Sequence, residues 1–356
     1  MKDSITTRQM NTLLFVGLLS PVIRLFPAIS VTTGGKSVWL SPIVALPVVL
    51  LFAAMMRKFM TNCGPEEALG DLIIKAIGST AGRIVLTLLG LWLTFYTGFV
   101  VKSSAERLIS SIYPNGQSGL FVVALIAVSS YMASGKLKSL GRMSEIFASV
   151  IGVILFIIIV AAALKVKPAN LLPVTIKDVD NIIVGAIPII NIVGIGTYAL
   201  FIKTGKENGG GNKTIISITF IIMAIILVTL GTMGEVLIGS LRHSFFVMLR
   251  DIELAGALER IEAVVIITWV ITDLLFTTVL FKICIEIWNA VNKKENKIKN
   301  IIFSATISFL VAVFVINNAF SMHFISGILI PIINILVVYV VLPLLLVVGK
   351  ISRKII

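Results

Sequence analysis

The chain has 356 residues, of which 58% are apolar and 13% charged, with a formal net charge of +13. A water-soluble domain carries about a quarter charged residues, so this composition excludes a soluble globule: there is too little polar surface to cover one. Two cysteines and two histidines, set far apart, exclude a disulfide framework and most zinc sites, and no residue set calls for a cofactor.

A bilayer core is ~30 Å thick and takes about 20 apolar residues of helix to cross. Ten runs are candidates: 9–31, 38–56, 84–101, 119–134, 146–164, 182–202, 214–239, 263–291, 301–320 and 324–349. No alternating ten-residue pattern suggests a β-barrel. The first run is too long for the apolar core of a signal peptide. With the N-terminus inside, the inner segments hold nineteen Lys and Arg residues and the outer ones nine, Arg107 among the latter. The excess of cations inside places both termini in the cytoplasm, and it explains the basic charge by membrane orientation rather than nucleic acid.

Span one carries Pro21 and Pro27, which predict an interruption at Ser20-Pro21; Arg24 follows it. Between spans two and three, Leu69, Leu72, Ile73, Ala76 and Ile77 in PEEALGDLIIKAIG follow the i, i+3, i+4, i+7, i+8 pattern of an amphipathic helix. Span three crowds Trp92, Phe95, Tyr96 and Phe99 together; Tyr96 and Phe99 are candidates to wall a cavity. Span six holds Pro188, Gly194 and Gly196, which predict an interruption over Asn191–Thr197, with Tyr198 next. Gly194-Ile-Gly196-Thr-Tyr-Ala199 formally fits a dinucleotide fingerprint, but no strand precedes it and it lies in an apolar span. No nucleophile triad or phosphate loop occurs, so enzyme activity is not expected. Between spans seven and eight, LRHSFFVMLRDIELAGALER again reads as a helix.

The interrupted spans are five apart, and an odd offset makes a five-helix repeat inverted in the membrane. The expected fold is therefore an all-α polytopic membrane protein of ten spans. It forms one domain over 1–356, with repeat halves 9–166 and 182–349. Paired interruptions in corresponding helices point to a binding site at the midplane, because unwound backbone is tolerated there only where it lines a cavity.

Ionisable residues inside a bilayer cost ~2.5–3.5 kcal/mol each and mark function or pairing. Arg24, Glu235 and Asp273 qualify. Asp273 lies near the midplane of span eight beside Thr272, with Thr277 one turn on. Arg24 is expected to pair with Asp273 or Glu235, or to bind a ligand carboxylate; the alternative is a purely structural ion pair. The candidate binding residues are Ser20, Pro21, Arg24, Tyr96, Phe99, Asn191, Gly194, Gly196, Thr197, Tyr198, Asp273 and Thr277. Lys282 and Glu286, four residues apart near the inner end of span eight, are expected to snorkel to the interface.

Six stretches resemble one family: Arg8-Gln9; GGKSVWLSPI from Gly34; GKLKSLGRMSEIF from Gly135; NLLPV from Asn170; LERIEAVVIITW from Leu258; and the C-terminal LPLLLVVGKISRK. In order and spacing the chain resembles the B subunit of bacterial spore germinant receptors, the endospore germination permeases of the amino acid–polyamine–organocation superfamily. The resemblance implies a leucine-transporter-like fold and a small germinant, often an amino acid, bound near spans one, three, six and eight. It also implies A-type and C-type partner subunits in the inner membrane of the spore. Family members often carry a Gly and a small hydroxyl residue where this chain has Ser20-Pro21. Three readings stay open: a germinant-sensing subunit, a Na⁺- or H⁺-coupled amino-acid transporter, and a structural subunit with a degenerate site. Span five, 146–164, has no charged residue, so the lysine that couples protons in some superfamily relatives has no counterpart there. Whether Na⁺ or H⁺ is co-bound stays open.

Overall fold

The computed structural model describes residues 5–61, 67–112, 116–203, 211–241, 244–250, 259–292 and 296–351, with backbone alone for 24–30, 111–112, 250 and 259–264. The described residues are helical, with no strand among them. Helix α1 (Thr7–Gly34) opens on a capping box: the Thr6 hydroxyl accepts the Gln9 N–H at 3.2 Å and the Gln9 side chain accepts the Thr6 N–H at 3.4 Å, satisfying donors that have no partner within the helix.

The expected interruption at Ser20-Pro21 is not present: α1 runs through it as one α-helix. Pro21 withholds one N–H from the Gly17 carbonyl. Packing on every side of the buried turn Leu18–Ile23 holds the helix together where propensity alone would break it, as neighbouring helices do within membranes. The helix ends at Gly35, whose φ of +59° suits glycine, and a 3₁₀ segment (Gly35–Leu40) leads into α2 (Ser41–Met60).

The amphipathic helix expected next is α3 (Leu69–Ile77), with Leu69, Leu72, Ile73 and Ala76 buried. Then follow α4 (Ser79–Ile112), α5 (Ser118–Ser134), α6 (Leu137–Ala163) and α7 (Val179–Gly194). At Ile195 the chain tightens into a seven-residue 3₁₀ segment, Ile195–Phe201. This change of winding falls where span six was expected to be interrupted; the backbone overwinds there rather than opening. Runs of 3₁₀ longer than three or four residues are uncommon, and Pro188, Gly194 and Gly196 supply the local weakness. Helix α8 (Gly211–Met233) stops at Gly234, φ +77°, so the seventh apolar run is divided before α9 (Glu235–Ser240). After α10 (Ser244–Arg250) comes the long α11 (Glu259–Asn292), then α12 (Lys297–Leu310). Helices α13 (Ala319–Phe324), α14 (Ile330–Ile335) and α15 (Leu342–Ile351) alternate with π-helical turns at Ile325–Leu329 and Leu336–Val341.

By length and composition, seven of the described helices can cross a membrane, and Ser118–Ser134 is a shorter apolar one. The outward surface agrees. Along α6, Ile146, Val150, Val153, Ile157, Val160 and Leu164 are all exposed and recur at helical spacing. An apolar stripe of that length is tolerated against lipid and is a liability in water.

Two groups of helices pack. In one, α1 and α2 lie against α7 and α8; in the other, α4 and α5 lie against α11 and α12. The groups meet where α1 packs on α11. The second group closes tightly at Gly98: a Cβ there would sit 2.7 Å from the Ser308 carbonyl oxygen, and the Ser308 hydroxyl donates to the Thr94 carbonyl at 2.9 Å. Because the obstacle is backbone, Gly98→Ala is expected to cost about 1–3 kcal/mol, read as a lower thermal midpoint of the detergent-purified chain; an unchanged midpoint would contradict this packing.

Candidate functional site

The site builds outward from the crossing of α1, α4, α11 and the 3₁₀ segment Ile195–Phe201. Gly17 on α1 lets α11 approach closely: a Cβ there would lie 3.3 Å from the Phe276 ring. Around this contact is an apolar cavity walled by Leu14, Gly17 and Leu18 of α1, Gly196 and Ala199 of the 3₁₀ segment, and Phe276 and Leu280 of α11. Its free volume of about 10 Å³ is at the lower limit for one water molecule, so the described state is closed. Tyr96 and Phe99 of α4, both buried, back it: their rings lie 6.3 Å apart, and Tyr96 meets Phe276 edge-on at 6.4 Å.

One helical turn from the cavity, on both α1 and α11, lies a buried charge cluster. Ser20 is three residues beyond Gly17, and Asp273 three before Phe276, so each shares a face with a cavity residue. The Ser20 hydroxyl donates to Asp273 Oδ1, and Arg107 of α4 donates from Nη2 to Asp273 Oδ2. Both charged side chains are 2% exposed. The Arg107 guanidinium also lies 5.2 Å from the centre of the Trp269 ring, a favourable cation–π placement, and Phe246 of α10 packs on that ring at 4.8 Å. Asp273 is therefore ionically paired, as a mid-membrane carboxylate must be.

Among the described residues, the cation that holds Asp273 is Arg107, which was not among the expected partners. The Arg24 side chain lies outside the described residues, and Glu235 is exposed as the first residue of α9. Arg107 was assigned to an outer loop because the apolar run ends near Val101. Val101, Ala105 and Leu108 continue at i, i+4, i+7, and that spacing was the available signal that α4 runs on to Ile112.

Thr277 spends its hydroxyl on the Asp273 carbonyl at 2.8 Å, a bond within its own helix. Pro21 is buried in α1. Thr197 is half-buried on the 3₁₀ segment and is not among the cavity walls. Gly194 sits under the Tyr339 ring, 2.8 Å from a would-be Cβ, and the Tyr339 hydroxyl donates to the Ile190 carbonyl at 2.8 Å. Asn191 is buried with its Oδ1 unpartnered.

A second polar cluster was not foreseen. Asn334 of α14, 1% exposed, accepts at Oδ1 from the Trp92 indole N–H and from the Tyr198 hydroxyl, each at 3.1 Å. An indole N–H can only donate, which fixes the oxygen on that side and leaves the Asn334 Nδ2 without a partner. A lone Asn in an apolar run gives no pattern to read. Tyr198, however, stands on the same 3₁₀ segment as Gly196, so this cluster and the cavity share one element.

Among the described residues, no group of His, Cys, Asp and Glu could hold a metal ion. The model of a family described as spore germination proteins matches residues 4–322. No curated protein matches the chain.

Proposed function

The chain belongs to the spore germination protein family, and from that premise we propose that it is the membrane subunit that senses a small germinant in the cavity between α1, Ile195–Phe201 and α11. It is a germination-related membrane protein. The single observation that carries the finer reading is the cavity at Gly17 and Gly196: small residues on two elements and an unusual 3₁₀ segment meet at one place. We take the protein to have ten spans in halves 9–166 and 182–349 with both termini cytoplasmic. The packing supports that reading, since α1 and α2 lie against α7 and α8 while α4 and α5 lie against α11 and α12. Those pairings join spans one to four each to the span five further on, which is compatible with a five-helix repeat. A-type and C-type subunits in the spore inner membrane complete the receptor in this reading.

Asp273 favours a sensor over a proton-coupled transporter. Its carboxylate is engaged by Arg107 and Ser20, a pairing that supports the sensor reading. The test fills the cavity. Among the described residues, a Cβ at Gly196 would meet only Leu18, at an ordinary 3.5 Å, so Gly196→Ala should fold and retain the response. The two further methyls of Gly196→Val should raise the half-maximal germinant concentration by about 10- to 100-fold, with the chain at wild-type abundance in spore membranes. An unchanged dose response, followed as loss of optical density by spores over a panel of the twenty L-amino acids, would overturn the assignment.

A further inference from the structure

We propose that the Arg107–Asp273 pair is itself the recognition element for a zwitterion: ligand entry opens the pair, the ligand carboxylate takes the place of Asp273 on Arg107, and its ammonium takes the place of Arg107 on Asp273. This rests on the cavity reading above and goes beyond it, because it assigns Arg107 a role and names the chemistry the site selects.

The argument starts from the cost of opening. Both charges are 2% exposed, and separating a buried pair leaves each uncompensated, which is strongly unfavourable. An entering molecule with a single charge satisfies one partner and strands the other. A molecule with both charges on neighbouring atoms satisfies both, with a bidentate Arg–carboxylate contact on one side and an ammonium on the other. The surroundings fit an exchange of partners rather than loss of the cluster. Trp269 stays under Arg107 at 5.2 Å, so the guanidinium keeps a favourable face through the exchange. Ser20 already donates to Asp273 and holds that carboxylate on the α1 side.

The location fits as well. Ser20 and Asp273 are each one turn from a cavity wall, Gly17 and Phe276, so a ligand bridging the opened pair lays its remaining atoms toward the apolar cavity. The pair joins α4 to α11 and, through Ser20, to α1. Its opening therefore changes the restraint on three helices at once, which gives a binding event a structural consequence.

The experiment uses spores that carry each variant in place of the wild-type chain, with abundance checked in spore membranes. Each L-amino acid that triggers germination is compared with the amine lacking its carboxylate and the acid lacking its amino group. Wild-type spores should respond to at least one amino acid, with both single-charge analogues at least about 100-fold weaker. Arg107→Gln/Asp273→Asn, which removes both charges together, should bring amino acid and analogues within about tenfold of each other, whereas Asp273→Glu should keep the discrimination. Analogues that match the amino acid in wild type, response to no zwitterion, or a double variant that still discriminates 100-fold would each overturn the proposal and leave the pair a structural lock. If the double variant does not accumulate, the wild-type analogue comparison decides alone. Loss of response in Gly196→Val together with matching analogues would overturn only the role of the pair; discrimination with an indifferent Gly196→Val would overturn only the cavity.

Discussion

Asp273→Ala is expected to destabilise the chain by about 3–5 kcal/mol, the cost of leaving a buried cation without its partner. The cation is Arg107, 2% exposed and seated over Trp269. Arginine does not deprotonate under these conditions, so the stranded charge cannot relieve itself by titration as a lysine or carboxylate would. Removing both charges should cost far less than the single change, because a buried pair replaced by uncharged groups of similar size is often close to neutral. Thermal unfolding of the detergent-purified single variant and of Arg107→Gln/Asp273→Asn reads the contrast. A double variant as unstable as Asp273→Ala would show that the cluster acts through shape rather than charge.

How far the sequence was legible follows from what each signal senses. Hydropathy senses the environment along the chain, and the apolar runs accordingly fall largely in helix. The amphipathic spacing from Leu69 to Ile77 became α3 because the side chains that make the pattern are those that bury. Asp273 stood out because a lone carboxylate amid apolar residues has few uses. Arg107 did not, because a cation after an apolar run looks like a loop until α11 and Trp269 are known to cover it. Span one misled for a related reason: proline reports one missing donor, whereas continuity of the helix depends on what surrounds that turn, and residues Leu18 to Ile23 are enclosed. In span six the same residue types pointed to an irregularity over Asn191–Thr197; the structure has one at Ile195–Phe201, overlapping that range at Ile195–Thr197, and of a different kind. Asn334 had no periodic signature, since its partners Trp92 and Tyr198 are more than a hundred residues away in sequence.

Asn334→Leu is expected to cost about 2–4 kcal/mol, since it strands two donors: an unsatisfied buried donor costs about 1–3 kcal/mol, and the Trp92 indole is only part-buried. The Tyr198 hydroxyl, on a fully buried side chain, carries most of the penalty. Tyr198→Phe in the Asn334→Leu background removes one stranded donor, so the two changes together should cost about 1 kcal/mol less than their sum, the sign of a direct contact in a double-mutant cycle. Strict additivity would mean that Tyr198 and Asn334 do not depend on one another. The same variant bears on function. Ile195, Gly196 and Ala199 all line the cavity, and Tyr198, three residues beyond Ile195, shares its edge of the 3₁₀ segment. Asn334 therefore holds, through Tyr198, the segment that a ligand in the cavity would press. Releasing that tether should shift the germinant dose response of spores even at temperatures where the variant remains folded, whereas a purely structural bond would change the thermal midpoint and leave the dose response where it was.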